Sequence, residues 1–333
     1  MSAAEQSAGP CPWHLPVWQA LTSRAQQPHA FLFGGSAGVG KRQFAEAFAD
    51  WLLCLQPQGG RACNQCRSCQ LRLAGNHPDR LLVAPEEEGK AIRIDAIRQL
   101  TDFMVQTAQQ GGRKVVILHP AEAMNLNSAN ALLKSLEEPT AETYLLLVTD
   151  QPSRLLPTIR SRCQVQTLPT PAHDQALEWL AQRLPELTAD QHAALLLMAG
   201  GAPLRALSLH AMEAARLRGQ VVDDVKALLK SQKSASQLAE SWNAVPLELL
   251  ADWFCDWTLD LLRLKTGAAE EAVNTDMGKV LPYMARRVPV AVLLDWQSWL
   301  LEHRGMILGK ANLNRVLLLE SLLLRWKQLM EKR

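Results

Sequence analysis

Short runs of consecutive apolar residues recur through the first half of the chain: Phe31-Leu32-Phe33, Leu81-Leu82-Val83, Val115-Val116-Ile117-Leu118 and Tyr144-Leu145-Leu146-Leu147-Val148. Apolar runs of this length without alternation predict strands covered on both faces. Between them the apolar positions take helical spacing. Phe44, Ala45, Ala47, Phe48 and Ala49 predict a helix to about Leu55, and Ile94 to Gln106 predicts another. Asn127 or Ser128 is the expected cap of a third, which Pro139 ends. Strands alternating with helices predict a mainly parallel sheet with helices on both faces. Val17, Trp18 and Leu21 predict a leader helix ahead of the first strand, ending near Pro28. After Pro169-Thr170-Pro171 no further strand is expected. Residues 172 to about 207 predict a small helical unit broken at Gly200-Gly201-Ala202-Pro203, and from about 208 on there is only amphipathic helix. The expected class is α/β plus all-α, in three parts: 1–168, 169–207 and 208–333.

The first strand runs into Gly35-Ser36-Ala37-Gly38-Val39-Gly40-Lys41 and then a helix, which completes the pattern Gly-x-x-x-x-Gly-Lys in its proper context. Such a loop wraps backbone N–H groups around phosphates at the positive end of a helix. Gly35, Gly38, Gly40 and Lys41 are therefore the candidate nucleotide-binding residues. The next position should carry a Ser or Thr hydroxyl for magnesium, and here it is Arg42. The strand Lys114–Leu118 should end in an acidic residue that holds the metal, and it ends in His119-Pro120, with Glu122 further on. Both magnesium-side elements are wrong for hydrolysis. The residues leave two outcomes: ATP or ADP bound without hydrolysis, or a glycine-rich turn with no ligand.

Composition changes the picture little and excludes some classes. Of 333 residues, 48% are apolar, enough for several cores, and a net charge of +2 gives no bulk attraction to nucleic acid. No apolar run of about 18 residues marks a membrane span. The first sixteen residues lack the basic and apolar regions of a secretory signal, so a cytoplasmic location is expected. In that reducing compartment cysteines favour metal over disulfides. Cys54, Cys63, Cys66 and Cys69 form Cys-x8-Cys-x2-Cys-x2-Cys across a polar, glycine-rich loop. Four thiolates close a tetrahedral zinc site of the structural kind. An iron–sulfur cluster, or four unliganded thiols, fits the same spacing. Six of the ten tryptophans (Trp242, Trp253, Trp257, Trp296, Trp299, Trp326) lie in the last helical part without interleaved basic residues, and read as helix-packing core rather than a base-stacking surface. Arg160 and Arg162, just beyond the strand ending at Thr149-Asp150, are by spacing alone either surface residues or cations aimed at a phosphate on another subunit.

Several motifs in order carry a resemblance. Asn130-Ala131-Leu132-Leu133-Lys134-Ser135-Leu136-Glu137-Glu138-Pro139, Ser161-Arg162-Cys163 and the four-cysteine insertion followed by Gly75-Asn76-His77-Pro78-Asp79 resemble the AAA+ sliding-clamp loader family. The likeness covers at least residues 29–210. It implies a phosphate-loop domain with a zinc module at 54–69, a helical lid and a C-terminal oligomerisation collar. The missing magnesium-side residues resemble the family's non-hydrolysing stator rather than its motors. The resemblance further implies gamma/tau motor and delta subunits as ring neighbours in a hetero-pentamer, with sliding clamp and primer–template DNA as indirect partners. It makes Arg162 an arginine finger acting in trans, Arg205 the lid arginine, and Cys54, Cys63, Cys66 and Cys69 zinc ligands. The apolar stripe of Leu132, Leu133 and Leu136, ended by Pro139, reads the Asn130–Pro139 helix as largely structural. The competing expectation is an autonomous AAA+ ATPase, a motor subunit or helicase loader.

Overall fold

The computed structural model describes residues 9–87, 89–110, 112–268, 274–309 and 311–331, so the first eight residues of the leader stretch lie outside it. The chain forms two compact units, Met1–Leu209 and His210–Arg333. In the first, α1 (Leu15–Thr22) precedes β1 (Ala30–Gly34), and α2 (Lys41–Leu53) and α3 (Arg67–Leu73) lead to β2 (Arg80–Val83). Then come α4 (Ile94–Val105), β3 (Lys114–Leu118), α5 (Leu126–Glu137), β4 (Thr143–Thr149), α6 (Pro157–Arg160) and β5 (Gln164–Thr167). The helices α7 (His173–Arg183), α8 (Ala189–Met198) and α9 (Pro203–Ala211) follow.

The strands make one parallel sheet in the order β2-β3-β4-β1-β5. Alternate residues point to opposite faces, and both faces are buried. Phe31, Phe33, Val115, Ile117, Leu146 and Val148 pack against Trp18, Leu21, Phe44 and Phe48. Leu32, Val116, Leu118, Leu145 and Leu147 pack against Ile97, Leu100, Leu132 and Leu136. This two-sided burial is why the strands read as unbroken apolar runs. The register sets Gly34 beside Thr149 on one side and Thr167 on the other. The phosphate loop after β1 and Asp150 after β4 therefore emerge at the same edge, where ligands of open α/β sheets bind.

Two local features differ from expectation. β5 has no apolar run; it is a short edge strand paired only to β1, and its residues Gln164, Val165 and Thr167 are exposed. The helix α5 begins earlier than expected, because the Asn125 side chain accepts from the Ser128 backbone N–H at 2.9 Å and caps it there.

The second unit is helical throughout its described residues: α10 (Ala214–Leu229), α11 (Ala235–Ser241), α12 (Leu247–Thr266), α13 (Val280–Arg287), α14 (Val290–Leu308) and α15 (Arg315–Gln328). Trp242, Trp253, Trp257, Trp296 and Trp326 are buried in its core around Phe254. Trp299 is half-buried, stacked between Trp296 and His303. No single helix among the described residues is long and apolar enough to cross a membrane.

Candidate functional site

The loop between β1 and α2 has the positive-φ glycines of a phosphate cradle, and other segments of its own chain pack closely against it. Gly38 has φ +76°, and a Cβ there would lie 2.4 Å from the Cβ of Arg205. Leu204 donates its backbone N–H to the Gly38 carbonyl at 3.0 Å, so the start of α9 sits on the loop. Gly35 has φ +149° and presses against the Leu168 carbonyl, and Gly40 has φ +99° and faces the Cys11 thiol. On the N-terminal side, the Trp13 indole donates to the Val39 carbonyl at 2.9 Å and meets Trp179 of α7 edge-on.

Lys41 is the decisive side chain. It is only 3% exposed, and its ammonium pairs with Asp150 Oδ1 at 2.5 Å. It also donates to the carbonyls of Gly35 at 2.8 Å and Ser36 at 2.5 Å. All three donors are used inside the chain. Of the candidate residues, Lys41 is thus bonded to the Gly35 carbonyl and Arg205 lies against Gly38. Asp150, at the end of β4, completes the closure through its pair with Lys41.

The magnesium side is rebuilt with other chemistry. Arg42 turns along α2 and donates to Glu46 at 2.9 Å. His119 stands at the end of β3, where burial, with Arg42 nearby, holds its pKa below the ordinary value. Glu122 accepts the Asp150 backbone N–H at 2.8 Å.

Arg162 lies between α6 and β5, exposed, while its neighbour Cys163 is buried in the core. Its guanidinium pairs with Glu137 Oε1 at 2.6 Å and donates to the Thr158 carbonyl at 3.0 Å. Glu137 belongs to the Leu-Glu-Glu-Pro end of α5, so two motifs separate in sequence meet in space.

The four cysteine sulfurs all lie within 4.8 Å of one another, the one group of three or more candidate metal ligands among the described residues. Zinc bound tetrahedrally at about 2.3 Å sets its sulfurs about 3.8 Å apart, and the Cys63 and Cys69 sulfurs stand at 3.9 Å. The backbone N–H groups of Cys63, Cys66 and Cys69 point at the sulfurs of Cys54, Cys63 and Cys66, at 3.2, 3.3 and 3.5 Å. Backbone N–H donation, led by Gln65, lowers the Cys63 thiol to about 6, whereas burial raises Cys69 to about 12. The donor set fits a closed metal site.

The module is tied to the body on three sides. The Trp18 indole donates to the Gly60 carbonyl at 3.0 Å. Buried Arg72 bridges Asp50 at 3.0 Å and Asn64 at 2.5 Å. Ser68 donates to the Leu53 carbonyl at 2.6 Å and meets His77 Nε2 at 2.8 Å. His77 Nδ1 accepts from the Asp79 backbone N–H at 3.1 Å, and the Asp79 carboxylate receives the N–H groups of Gln109 and Gln110. This Ser68–His77–Asp79 series is no nucleophilic triad. The serine proton is committed to a carbonyl, and the carboxylate does not orient the imidazole. It is a buried brace between α3 and the sheet.

A phosphate-loop scaffold with Arg42 and His119-Pro120 at the magnesium-side positions, carrying a four-thiolate module and followed by a helical unit, is the class of protein that the fold and site define. The chain belongs to the DNA polymerase III delta-type subunit family. The family model described as "DNA polymerase III, delta subunit" matches residues 14–172, and the one described as "DNA polymerase III, delta subunit, C terminal" matches residues 213–328. The chain is 54% identical over 319 residues to the DNA polymerase III subunit delta′ of Pseudomonas aeruginosa, covering 96% of this chain and 97% of the relative. It is 37% identical over 321 residues to subunit delta′ of Yersinia pestis, with 95% and 93% covered. It is 34% identical over 320 residues to subunit delta′ of Escherichia coli K12, with 94% of each covered.

Proposed function

We propose that this chain is the stator subunit of the DNA polymerase III clamp loader, a cytoplasmic replication component that catalyses nothing alone. It helps load the sliding clamp onto primed DNA from within a five-subunit ring that also holds gamma/tau motor and delta subunits. Clamp and primer–template DNA are reached through that assembly. Residues 1–168 serve as the AAA+ domain, 169–207 as its lid and 208–333 as the collar. Cys54, Cys63, Cys66 and Cys69 hold one structural zinc ion, whose binding energy contributes to folding of the module.

The observation that carries the reading is the closed phosphate loop. A nucleotide has to displace Lys41 from Asp150 and from two carbonyls before its phosphates can enter. With Arg42 turned to Glu46 there is no hydroxyl for magnesium. ATP or ADP therefore binds weakly at most, and without hydrolysis. Arg162, exposed at the surface, acts instead on the ATP site of an adjacent motor. A guanidinium brought in from outside neutralises charge developing on the transferred phosphoryl oxygens, an effect of roughly three to five orders of magnitude in GTPases.

Steady-state ATP turnover tests this. The purified chain alone should show none. The complete loader should depend on the chain, and Arg162→Ala should lower its turnover by about ten-fold or more with ring assembly intact. Robust magnesium-dependent turnover by the isolated chain would make it a motor and overturn the reading.

A further inference from the structure

Among the exposed residues of the Asn130–Pro139 motif, Glu137 is the one whose carboxylate meets a candidate functional side chain. Leu132 and Leu136 are buried under the sheet, and Asn125 caps the helix start. Glu137, the last residue of α5, is exposed and packs against no core. It sits where the C-terminal end of the helix dipole disfavours an anion, beside a second acid, Glu138. Its own helix gains nothing from that carboxylate. The cation that offsets it is Arg162, at 2.6 Å.

The Arg162 guanidinium is held by both terminal nitrogens: one on Glu137, the other on the Thr158 carbonyl. These forked donors are what a guanidinium uses to grip phosphate oxygens. In the chain by itself each of these nitrogens already spends one of its two N–H donors. The side chains of Arg162 and Glu137 are 36% and 49% exposed, so water screens the pair and a competing anion can reach it. Exposed pairs of this kind bias an equilibrium by about five-fold at most.

We infer that Glu137 is a positioning residue that parks Arg162 within its own subunit until a triphosphate on a neighbouring subunit takes its place. The inference rests on the in-trans role proposed for Arg162. The exchange is of one anion for another: the carboxylate releases the guanidinium, the phosphate accepts it, and no covalent bond changes. Parking keeps the arginine folded back when no nucleotide faces it, and makes its engagement respond to the charge of that nucleotide.

The test uses the reconstituted loader, with ATP as the varied substrate and four versions of this chain: parent, Glu137→Gln, Arg162→Ala and the double variant. Glu137→Gln keeps shape and removes charge. It should raise kcat/KM for ATP about two- to five-fold with the thermal stability of the free chain unchanged. The same substitution should do nothing in the Arg162→Ala background. If Arg162→Ala lowers turnover while Glu137→Gln leaves kcat/KM unchanged or lowers it, parking is wrong and the in-trans role stands. An equal change in both backgrounds assigns Glu137 a structural role and also overturns the inference. If Arg162→Ala is without effect, the in-trans role fails and the inference with it.

Discussion

The residue with the clearest physical consequence is Lys41, an ammonium almost fully buried beside one carboxylate. Removing that carboxylate leaves the charge facing only carbonyls, while removing the lysine leaves Asp150 37% exposed and free to hydrate. Asp150→Ala should therefore lower stability by about 1 to 3 kcal/mol, and Lys41→Met by less. Urea midpoints at constant m-value measure both; equal small costs would mean that the pair behaves as a surface ion pair. His14 gives a pH prediction. It is fully buried, with its ring edge-on to Phe44 and Trp13. Burial pushes its pKa down to about 4, against a smaller upward pull from the Pro169 backbone. The unfolded chain takes up the proton first, so His14 favours folding above its ordinary pKa of 6.5, and this is lost as pH falls toward 4. The full effect is about 3 kcal/mol. Asp50, raised by burial to about 6, has the opposite sign, its contribution being lost as pH rises through that value. The comparison is therefore between variants: His14→Leu should lose less stability than the parent between about pH 6.5 and pH 4. Parallel urea-midpoint profiles would show that the imidazole is not held neutral.

At the scale of elements, the four-cysteine module has a group of thiols that could hold a metal inside and braces outside. Cys66→Ser should reduce bound zinc from one ion to none by metal analysis. It should also speed amide exchange across residues 54–79, because α3 then loses the metal and keeps its packing on α2 and the Arg72 and Ser68 hydrogen bonds. Exchange in β3 and β4, buried on both faces, should stay slow. Native protein without bound metal would end the assignment. The elements also differ in how legible they were. β1, β3 and β4 were evident because burial on both faces writes itself as an apolar run. β5 was not, because an edge strand with exposed Gln164 and Val165 needs only backbone bonds to β1. The start of α5 was misplaced because Asn125, Asn127 and Ser128 can all cap, and the chain path alone selects among them.

At the scale of the whole molecule, two units close separate cores, one around the sheet and one around Phe254 and its tryptophans. Turnover belongs to this scale. On the proposed function, a chain whose loop lysine is bound internally should show no ATP turnover alone, and its contribution should appear only in the assembled loader. What the sequence by itself determined is local: the strand and helix periods, the spacing of four thiols, and the replacement of the magnesium ligands at Arg42 and His119-Pro120. These depend on a few adjacent residues and survive any arrangement of the rest. The pairings of Lys41 with Asp150, Gly38 with Arg205 and Arg162 with Glu137 were decided only by the tertiary structure. Each joins segments remote in the chain. The parallel order of the sheet, with β4 beside β1 and α9 laid over the loop, brings them within hydrogen-bond or van der Waals reach.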